Sequence, residues 1–286
     1  MNKIYLIGNG YVCDFITDKY RCDYEFVGVC RSEKNNCKHN YSIDISICTD
    51  ELDIVFRDKG DVVYLAAPQA SGVEDHTLKN FLSSVDKSKI NRLVYISTSG
   101  VYGDKKDQLV DEKSKLAPMT DRAKRRVHAE NQIIDSKIDY TILRVPGIYG
   151  PGRSYLLKRY LEGNSQIDGF SSDSSGRWIN QIHRDDAAQA IAHIIEKKLI
   201  NEVFNVNDDQ PLLQRYCYEE FDRRFKKGIP EVKEPERGKV RGWSNKRVSN
   251  LKIKKTGWQP KYSNYFDALD NDLRILPSIT GNMLRN

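Results

Sequence analysis

The sequence predicts an α/β protein built on a doubly wound parallel sheet, followed by a smaller C-terminal lobe. Two observations predict it. Over the first 150 residues strand-like apolar runs alternate with helix-like segments, and the first apolar run leads directly into a glycine turn. Beyond residue 150 the segments become shorter and more polar. We therefore expect a sheet domain over residues 1–150 and a smaller lobe over 151–286, with some of its segments returning to the main sheet.

Each element follows from local patterning, because short runs rich in β-branched and aromatic residues indicate buried strands and an apolar period near 3.6 indicates helices. The expected strands are Ile4–Ile7, Glu25–Cys30, Val62–Ala66, Arg92–Ser97, Tyr140–Arg144 and Val203–Val206. The expected helices are Tyr11–Lys19, Asp50–Arg57, Val73–Asp86, Thr120–Ser136 and Asp185–Lys197. Ligands of such sheets bind at the carboxyl ends of the strands, so the residues that follow each strand are the candidate site residues.

Composition limits the class of protein. A chain of 286 residues with 39% hydrophobic and 30% charged residues has enough apolar sequence for a large core. No apolar run approaches the roughly 20 residues of a membrane span, and Lys3 is followed by too few apolar residues for a signal peptide, so we expect a cytoplasmic protein. The six cysteines form no C-x-x-C pair, which favours reduced structural thiols and no bound metal.

The glycine turn at Gly8–Val12 is a candidate phosphate site. Gly8 would make a tight turn, and Gly10 would let a diphosphate approach the backbone at the start of a helix. The N–H groups and the dipole of a helix start can hold a phosphate without a basic side chain. Cys13 replaces the third glycine of the usual pattern, and a purely structural strand-to-helix turn remains the alternative. The residues that we expect to line a dinucleotide here are Gly8, Asn9, Gly10, Tyr11 and Val12.

The ends of the next strands suggest which dinucleotide is bound. Arg31 follows the second strand, where an acidic residue would bind a ribose hydroxyl and an arginine can pair with a 2′-phosphate. NADP is therefore favoured over NAD, although Arg31 also fits an ordinary surface position. Asp44 is a candidate for the adenine edge or a loop carboxylate without a ligand. Ala66, Ala67 and Pro68 offer small side chains where a cofactor passes close to the backbone.

Three segments together resemble a known family. The segment Ile96–Gly103 resembles the S-[ST]-x-x-V-Y-G signature of the extended short-chain dehydrogenase/reductases, the NAD(P)-dependent epimerases and dehydratases of nucleotide sugars. Leu143–Gly152 resembles the L-R-p-x-x-x-Y-G-P-G stretch of that family, and Ile179–Asp186 resembles its I-H-v-D-D stretch. The resemblance spans residues 1 to about 190. It implies a Rossmann fold, an NAD(P) cofactor, and a role for Thr98 in polarising a substrate hydroxyl or carbonyl.

The chain departs from the family at its acid/base dyad. The family places a tyrosine on the next helix with a lysine four residues later, because a neighbouring cation makes the phenol a useful base. Aligning on Ala129 and Glu130 puts Arg122 and Arg126 at these positions, and arginine is no acid or base near neutral pH. Arg126 can replace the ribose contact of the lysine or bind a phosphate. Arg122 either clamps an anionic substrate or lies on a basic helical face.

Such a substitution is a feature of the atypical branches labelled nucleoside-diphosphate-sugar epimerase-like, which this chain resembles. The segments Gly242–Asn250 and Thr256–Pro260 resemble the C-terminal part of those branches. Tyr102, Tyr149 and His183 are other candidates for proton transfer at the substrate, although the tyrosines equally fit packing positions and the histidine equally fits a loop pin. Basic residues that can meet a diphosphate are Arg122, Arg144, Arg177 and Lys246. Val145, in the second matching segment, is assigned to the cofactor together with Arg126.

Three functions follow from these observations. The first is an NAD(P)-dependent epimerase, dehydratase or other oxidoreductase acting on a nucleotide sugar or another small anionic metabolite. The second is a catalytically silent NADP-binding sensor or regulator, which the two arginines favour. Nucleic-acid binding ranks third, because the basic stretch between Phe225 and Lys255 has few aromatic residues and no RNA-binding signature. The family also implies a homodimer formed through the helices at Val73–Asp86 and Thr120–Ser136.

Overall fold

The computed structural model describes residues 2–32, 34–47, 50–169, 176–234 and 244–281. The strands are β1 (Asn2–Ile7), β2 (Tyr24–Cys30), β3 (His39–Ser42), β4 (Gly60–Tyr64), β5 (Ile90–Thr98), β6 (Leu109–Val110), β7 (Tyr140–Val145), β8 (Gly147–Tyr149), β9 (Ile167–Asp168), β10 (Trp178–Ile179), β11 (Gln181–His183), β12 (Glu202–Asn205), β13 (Leu212–Leu213), β14 (Val232–Lys233) and β15 (Arg247–Val248). The helices are α1 (Tyr11–Tyr20), α2 (Glu51–Val55), α3 (His76–Ser84), α4 (Asp121–Asp135), α5 (Tyr155–Leu161), α6 (Arg184–Glu196), α7 (Gln214–Phe225), α8 (Leu251–Lys254), α9 (Tyr265–Asn271) and α10 (Ile275–Thr280).

The chain forms two compact units, and it passes between them repeatedly. The first unit comprises Met1–Val101, Pro118–Arg144 and Ala187–Phe204. The second comprises Tyr102–Ala117, Val145–Asp186 and Asn205–Asn286. The first unit thus takes most of α6 and β12 from beyond residue 150.

A seven-stranded parallel sheet in the order β12-β7-β5-β4-β1-β2-β3 forms the first unit, which confirms the predicted doubly wound fold. The sheet has apolar residues on both faces, as a parallel sheet covered by helices requires. On β1, Ile4 pairs with Phe26 of β2 on one side and with Asp61 of β4 on the other. The strand order therefore reverses at β1, and a ligand crevice is expected at the carboxyl ends of β1, β2 and β4.

The predicted strands and helices of the first unit are present, with shifted ends. The helix expected at Asp50–Arg57 is the shorter α2, and the helix expected at Val73–Asp86 begins only after Asp75, whose side chain accepts from the N–H of Leu78 at 2.9 Å. β3 was not predicted. Its sequence, His-Asn-Tyr-Ser, has no apolar alternation, and it lies at the edge of the sheet, where pairing with β2 alone is enough to define a strand.

The second unit is built from two-stranded pairs around an aromatic core. β8 pairs with β11, β6 with β15, and β9 with β14, all in parallel, while β10 and β13 are antiparallel. The core includes Tyr149, Tyr160, Phe221, Tyr265 and Phe266. Within the described residues no helix is both long enough and apolar enough to cross a membrane. Three parts of the sequence discussed above lie outside the described residues. They are Cys48, residues 235–243 of the basic stretch between Phe225 and Lys255, and the first two residues of the Gly242–Asn250 segment.

Candidate functional site

The glycine turn connects β1 to α1 at the reversal point of the sheet. Gly8 has a φ of +88°, and a Cβ at this position would lie 2.5 Å from the Cα of Ala66 in the segment after β4. Its N–H also donates to the carbonyl of Val29 at the end of β2, at 2.8 Å. Only glycine fits both the positive φ and the lack of room for a Cβ, because other L-residues are strained at positive φ and carry a Cβ that would clash with Ala66.

Gly10 is different, because the protein itself does not demand a glycine there. Its φ of −118° suits any residue, and a Cβ would meet only the carbonyl oxygen of Gly8, at 3.7 Å. It caps the N-terminus of α1 without a side-chain acceptor. A position that is open on the protein side and adjoins the N–H groups of a ten-residue helix fits a phosphate group held against the backbone.

The other residues of the turn serve to hold it. Cys13 is buried, its Sγ lies 3.8 Å from the Gly8 oxygen, and burial raises its pKa to about 12, so it is a packing group where the usual pattern has glycine. Asn9 is 2% exposed, and its side chain exchanges hydrogen bonds with that of Asn36, at 2.6 and 2.9 Å. A Cβ on Gly28 would lie 2.6 Å from the Asn9 amide nitrogen, so the glycine at this point of β2 makes room for the pair.

Arg31 and Asp44, which the sequence assigns to the adenosine half of a dinucleotide, follow β2 and β3. Arg31 is exposed, and no carboxylate of the described residues lies within 4.0 Å of it. Asp44 accepts a hydrogen bond from the N–H of Ser46 at 2.9 Å. Hydrogen bonding to Ser46 lowers the pKa of Asp44, and the charge of Arg31 acts in the same direction, so the carboxylate is ionised beside that guanidinium. Ala66 and Pro68 are half-buried and Ala67 is exposed, and their contact with a cofactor stays a prediction.

Thr98 is the last residue of β5, so its hydroxyl lies at the carboxyl end of that strand. The side chain is half-buried, and Oγ1 accepts a hydrogen bond from the N–H of Gly100 at 3.2 Å. Because a hydroxyl accepts and donates at once, this contact orients the oxygen and leaves its proton for another acceptor. A polarising role toward a substrate oxygen stays a prediction, and the geometry is compatible with it.

The two arginines that the sequence alignment assigns to the dyad positions differ in their surroundings. Arg122 is exposed in the first turn of α4. Arg126 is half-buried, and its Nη1 donates to the hydroxyl of Tyr95 at 2.7 Å and to the carbonyl of Ile96 at 3.3 Å. Its guanidinium carbon also lies 5.5 Å from the centre of the Tyr95 ring. Arg126 is thus tied to β5 through one nitrogen, and neither arginine supplies acid/base chemistry.

Arg144 does not belong to a phosphate site, contrary to the expectation from sequence. It is 5% exposed, and its Nη2 lies 2.7 Å from Glu130 Oε2 on α4. The other carboxylate oxygen of Glu130 accepts from the hydroxyl of Ser97 at 2.6 Å. A buried arginine needs a charged partner, and Glu130 is the partner of Arg144. The sequence alone does not indicate this pairing.

In the second unit Tyr102, Tyr149 and His183 are all buried. Tyr102 donates to Asn205 Oδ1 at 2.7 Å, and Tyr149 donates to the Asn264 carbonyl at 3.3 Å, while burial raises the pKa of Tyr149. These contacts give each tyrosine a structural role in its unit. Their contact with a substrate stays a prediction.

His183 lies in a cluster of charged groups that resembles a metal site. Nδ1 accepts from the N–H of Asp185 at 3.2 Å, and burial lowers the pKa of His183 to about 4, so the ring is neutral. Its ring nitrogens and the carboxylates of Asp185 and Asp272 lie close enough to hold an ion. The guanidinium of Arg274 already satisfies these carboxylates, at 2.5 Å from Asp185 and 2.8 Å from Asp272. Arg184 also pairs with Asp185, at 3.0 Å, so the two carboxylates face two guanidinium groups.

Lys246 is a buried cation in the second unit. It is 3% exposed, and Nζ donates to the Gly103 carbonyl at 3.1 Å and to Ser244 Oγ at 2.6 Å. Among the described residues no carboxylate lies within 4.0 Å, and burial lowers its pKa to about 8, with the charge of Arg177 contributing. Arg177 pairs with Asp168 at 3.0 Å. Among the described residues, Arg177 thus has a carboxylate within 4.0 Å and its neighbour Lys246 has none.

The fold and the glycine turn define a dinucleotide-binding protein of the α/β class. A family model for NAD(P)H-binding proteins matches residues 43–198, more than half of the chain, and the chain belongs to this family. The resemblance to the extended short-chain dehydrogenase/reductases is thereby confirmed for the NAD(P)-binding domain and the fold. No curated protein matches the chain.

Solved structures share the whole fold at low sequence identity. UDP-glucose 4-epimerase from Thermotoga maritima, solved with UDP-glucose, is 22% identical, with 99% of this chain and 100% of that chain covered and a TM-score of 0.78. UDP-glucuronic acid 4-epimerase from Bacillus cereus, in complex with NAD, is 18% identical, with 98% and 99% covered and a TM-score of 0.79. A conserved protein of unknown function from Silicibacter pomeroyi is 22% identical, with 95% and 99% covered and a TM-score of 0.72.

Proposed function

We propose that the protein is an NADP-dependent oxidoreductase of the epimerase/dehydratase type that acts on a nucleotide sugar or a related small anionic metabolite. The observation that carries the cofactor part is Gly10, a glycine that the fold does not require, at the start of α1. Its neighbour Gly8 presses the turn against Ala66, so the turn presents backbone to the crevice.

The residues of the first unit have distinct tasks in this proposal. Backbone N–H groups at the start of α1 hold the pyrophosphate, Arg31 pairs with the 2′-phosphate, and Asp44 contacts the adenine edge. The nicotinamide of the bound cofactor supplies a hydride acceptor or donor. Thr98 would donate a hydrogen bond from its hydroxyl, keeping its proton, to the substrate oxygen on which negative charge develops, and Gly100 keeps that hydroxyl oriented.

Lys246 supports the anionic substrate. Burying an ammonium group without a carboxylate is costly, and the nearby charge of Arg177 adds repulsion. An anionic group bound at Lys246 and Arg177 would offset both terms, and a diphosphate has the required charge. One solved structure of this fold contains UDP-glucose, and another is of a UDP-glucuronic acid 4-epimerase. These two structures favour a nucleotide sugar as the substrate class.

A catalytically silent NADP-binding regulator is the second candidate. It is favoured by Arg122 and Arg126, which stand where the family has its acid/base dyad, and by the engagement of Arg126 with Tyr95 and the Ile96 carbonyl. Neither group can exchange a proton near neutral pH. This candidate shares the cofactor site with the first and differs only in turnover.

Fluorescence titration of the purified protein with NADPH and with NADH tests the cofactor site. We expect saturable binding of NADPH in the micromolar range. If neither NADPH nor NADH binds in the micromolar range, both candidate functions are wrong.

The choice between NADP and NAD depends on Arg31. We expect Arg31→Asp to weaken NADPH binding about tenfold or more, because it replaces a cation facing the 2′-phosphate by an anion, while NADH changes little. The measurement is the ratio of the two dissociation constants. An equal change for both dinucleotides would contradict the 2′-phosphate assignment.

Turnover separates the enzyme from the regulator. Wild-type protein is incubated with NADPH or NADP and a panel of nucleotide sugars, and cofactor absorbance and sugar products are followed. We expect Thr98→Ala to lower kcat by about a hundredfold, since it removes a donor to the developing charge, with the dissociation constant for NADPH unchanged. Turnover that survives this substitution would exclude Thr98 from the mechanism, and no turnover of any substrate would favour the regulator.

A further inference from the structure

The segment after β4, Ala66–Asp75, is attached to one face of α4 from Ala70 to Asp75. The guanidinium of Arg125, itself buried, donates to the carbonyls of Ala70, at 3.1 Å, and Gly72. His128 Nδ1 accepts from the N–H of Asp75 at 3.1 Å. Gln132 Nε2 donates to the carbonyl of Asp75 at 3.2 Å.

These three α4 side chains are spaced i, i+3 and i+7, so they share one face of the helix. All their contacts to the segment are with main-chain groups, and a main-chain contact fixes the path of a loop whatever its side chains are. Within the segment, Gln69 adds a turn of its own by donating to the Glu74 carbonyl and accepting from the N–H of His76 at 3.2 Å. The segment is therefore held in one shape from α4 and from within.

The other end of the segment reaches the glycine turn, where Ala66 abuts Gly8. Because β2 and β3 lie on one side of β1 and carry Arg31 and Asp44, the adenosine half of a dinucleotide lies on that side. β4 and β5 lie on the other side of β1, so the nicotinamide half passes over the Ala66–Asp75 segment.

We propose that Arg125, His128 and Gln132 are positioning residues that hold the Ala66–Asp75 segment in the shape that receives the nicotinamide half of the cofactor. This inference rests on the proposed NADP site. In the family this helix carries the acid/base dyad, which the alignment does not find here. The inference gives α4 a different role in the same site, which is to hold the segment that lines the cofactor. None of the three residues needs to touch the cofactor.

His128 allows a sharp test, because it is half-buried and its acceptor can be removed or kept. His128→Leu removes the Nδ1 acceptor, while His128→Asn retains an acceptor oxygen near the same position. Arg125→Met is the second variant. Lys124→Met is the matched control, since Lys124 lies on the same helix, is exposed, and pairs with Asp121 at 3.4 Å and not with the segment.

Three quantities are measured for each protein: amide hydrogen exchange in residues 66–75, the dissociation constant of the dinucleotide that the wild type binds, and that of its adenosine half. The adenosine half is adenosine 2′,5′-bisphosphate for NADPH and AMP for NADH. We expect His128→Leu and Arg125→Met to speed exchange in the segment and to weaken the dinucleotide about tenfold, the effect of one or two lost hydrogen bonds. The adenosine half should bind as in the wild type, and His128→Asn and Lys124→Met should resemble the wild type throughout.

Several results would overturn the inference. Equal weakening of the dinucleotide and of its adenosine half would show general damage to the site. Faster exchange in the segment with unchanged dinucleotide binding would show that the segment does not receive the cofactor, and His128→Asn behaving like His128→Leu would reduce His128 to packing. A wild type that binds no dinucleotide defeats the proposed function as well, whereas a wild type that binds with unaffected variants defeats this inference alone.

Discussion

At the residue scale, the two glycines of the turn illustrate two reasons for the same residue type. Gly8 is fixed by the protein, through its positive φ and its contact with Ala66. Gly10 has neither constraint, so in the proposed site we attribute its glycine to a cofactor phosphate held against the backbone. Conformational stability and cofactor binding should therefore respond differently to the two positions.

We expect Gly8→Ala to lower the free energy of unfolding by at least about 2 kcal/mol, from left-handed strain and the clash with Ala66. Gly10→Ala should change it by no more than about 1 kcal/mol, yet weaken NADPH about tenfold or more. Urea denaturation and NADPH titration measure the two effects. A Gly10→Ala protein that binds NADPH normally would argue against a pyrophosphate at this turn.

The sequence identifies some site residues and misses others for a physical reason. Gly8 and Gly10 are identifiable because their role depends on local order: strand, turn, helix. Arg144 and Lys246 look alike in sequence, as basic residues within family-like segments, and only the partner separates them, because Glu130 neutralises one and no carboxylate of the described residues neutralises the other. The Asn9–Asn36 pair joins positions 27 apart through a loop without periodicity, so no local pattern predicts it.

At the scale of elements, α4 has two inward-directed tasks. Through Arg125 and its neighbours it holds the Ala66–Asp75 segment. Through Glu130 it meets Ser97 on β5 and Arg144 on β7, which joins one helix to two strands under the Thr98 end of the sheet. Removal of one partner from a buried ion pair leaves the other charge uncompensated.

We expect Glu130→Gln to destabilise the protein by about 3 kcal/mol, since the Arg144 guanidinium stays buried with a neutral partner. The double variant Glu130→Leu with Arg144→Met should recover most of this loss, because it removes both charges together. Urea denaturation of the wild type, of Glu130→Leu and Arg144→Met singly, and of the double variant measures the coupling. Additive effects in this cycle would show that the pair contributes no specific interaction.

Element prediction succeeded where apolar periodicity was strong, as in β1, β5 and α4. It missed β3, whose strand state is imposed by pairing with β2 and not by its own polar sequence. α3 shows the same limit at a boundary: Val73 and Glu74 fit a helix by sequence, but the Asp75 cap begins the helix later.

At the scale of the whole molecule, the ionisation of buried groups in the second unit predicts a pH dependence of stability. Asp186 accepts hydrogen bonds from the N–H groups of Lys261 and Tyr262, yet burial raises its pKa to about 6. A carboxyl with a raised folded pKa binds more protons in the native state than in the unfolded one between about pH 4 and pH 6. It therefore makes the free energy of unfolding fall as pH rises through that window.

We expect Asp186→Asn to remove this contribution. Between pH 4 and pH 6.5 the free energy of unfolding of the variant, relative to that of the wild type, should rise by about 2 kcal/mol, most of the roughly 3 kcal/mol that two pKa units give over the full titration. His183 acts in the opposite direction in both proteins, because its pKa is lowered to about 4, so the comparison with wild type isolates Asp186. Parallel stability curves for the two proteins would contradict the raised pKa.

The path of the chain between the units has a consequence for how the protein is made. β12, the edge strand beside β7, comes from Glu202–Asn205, and most of α6 also belongs to the first unit. A ribosome that has released only the first 150 residues has released a sheet whose β7 edge has no partner strand, with its N–H and C=O groups open to pairing with other chains. The dinucleotide-binding unit is complete only when Phe204 has emerged, after residues of the second unit have been synthesised. A gene fragment that ends near residue 150 should therefore give an aggregating product instead of an isolated cofactor-binding domain.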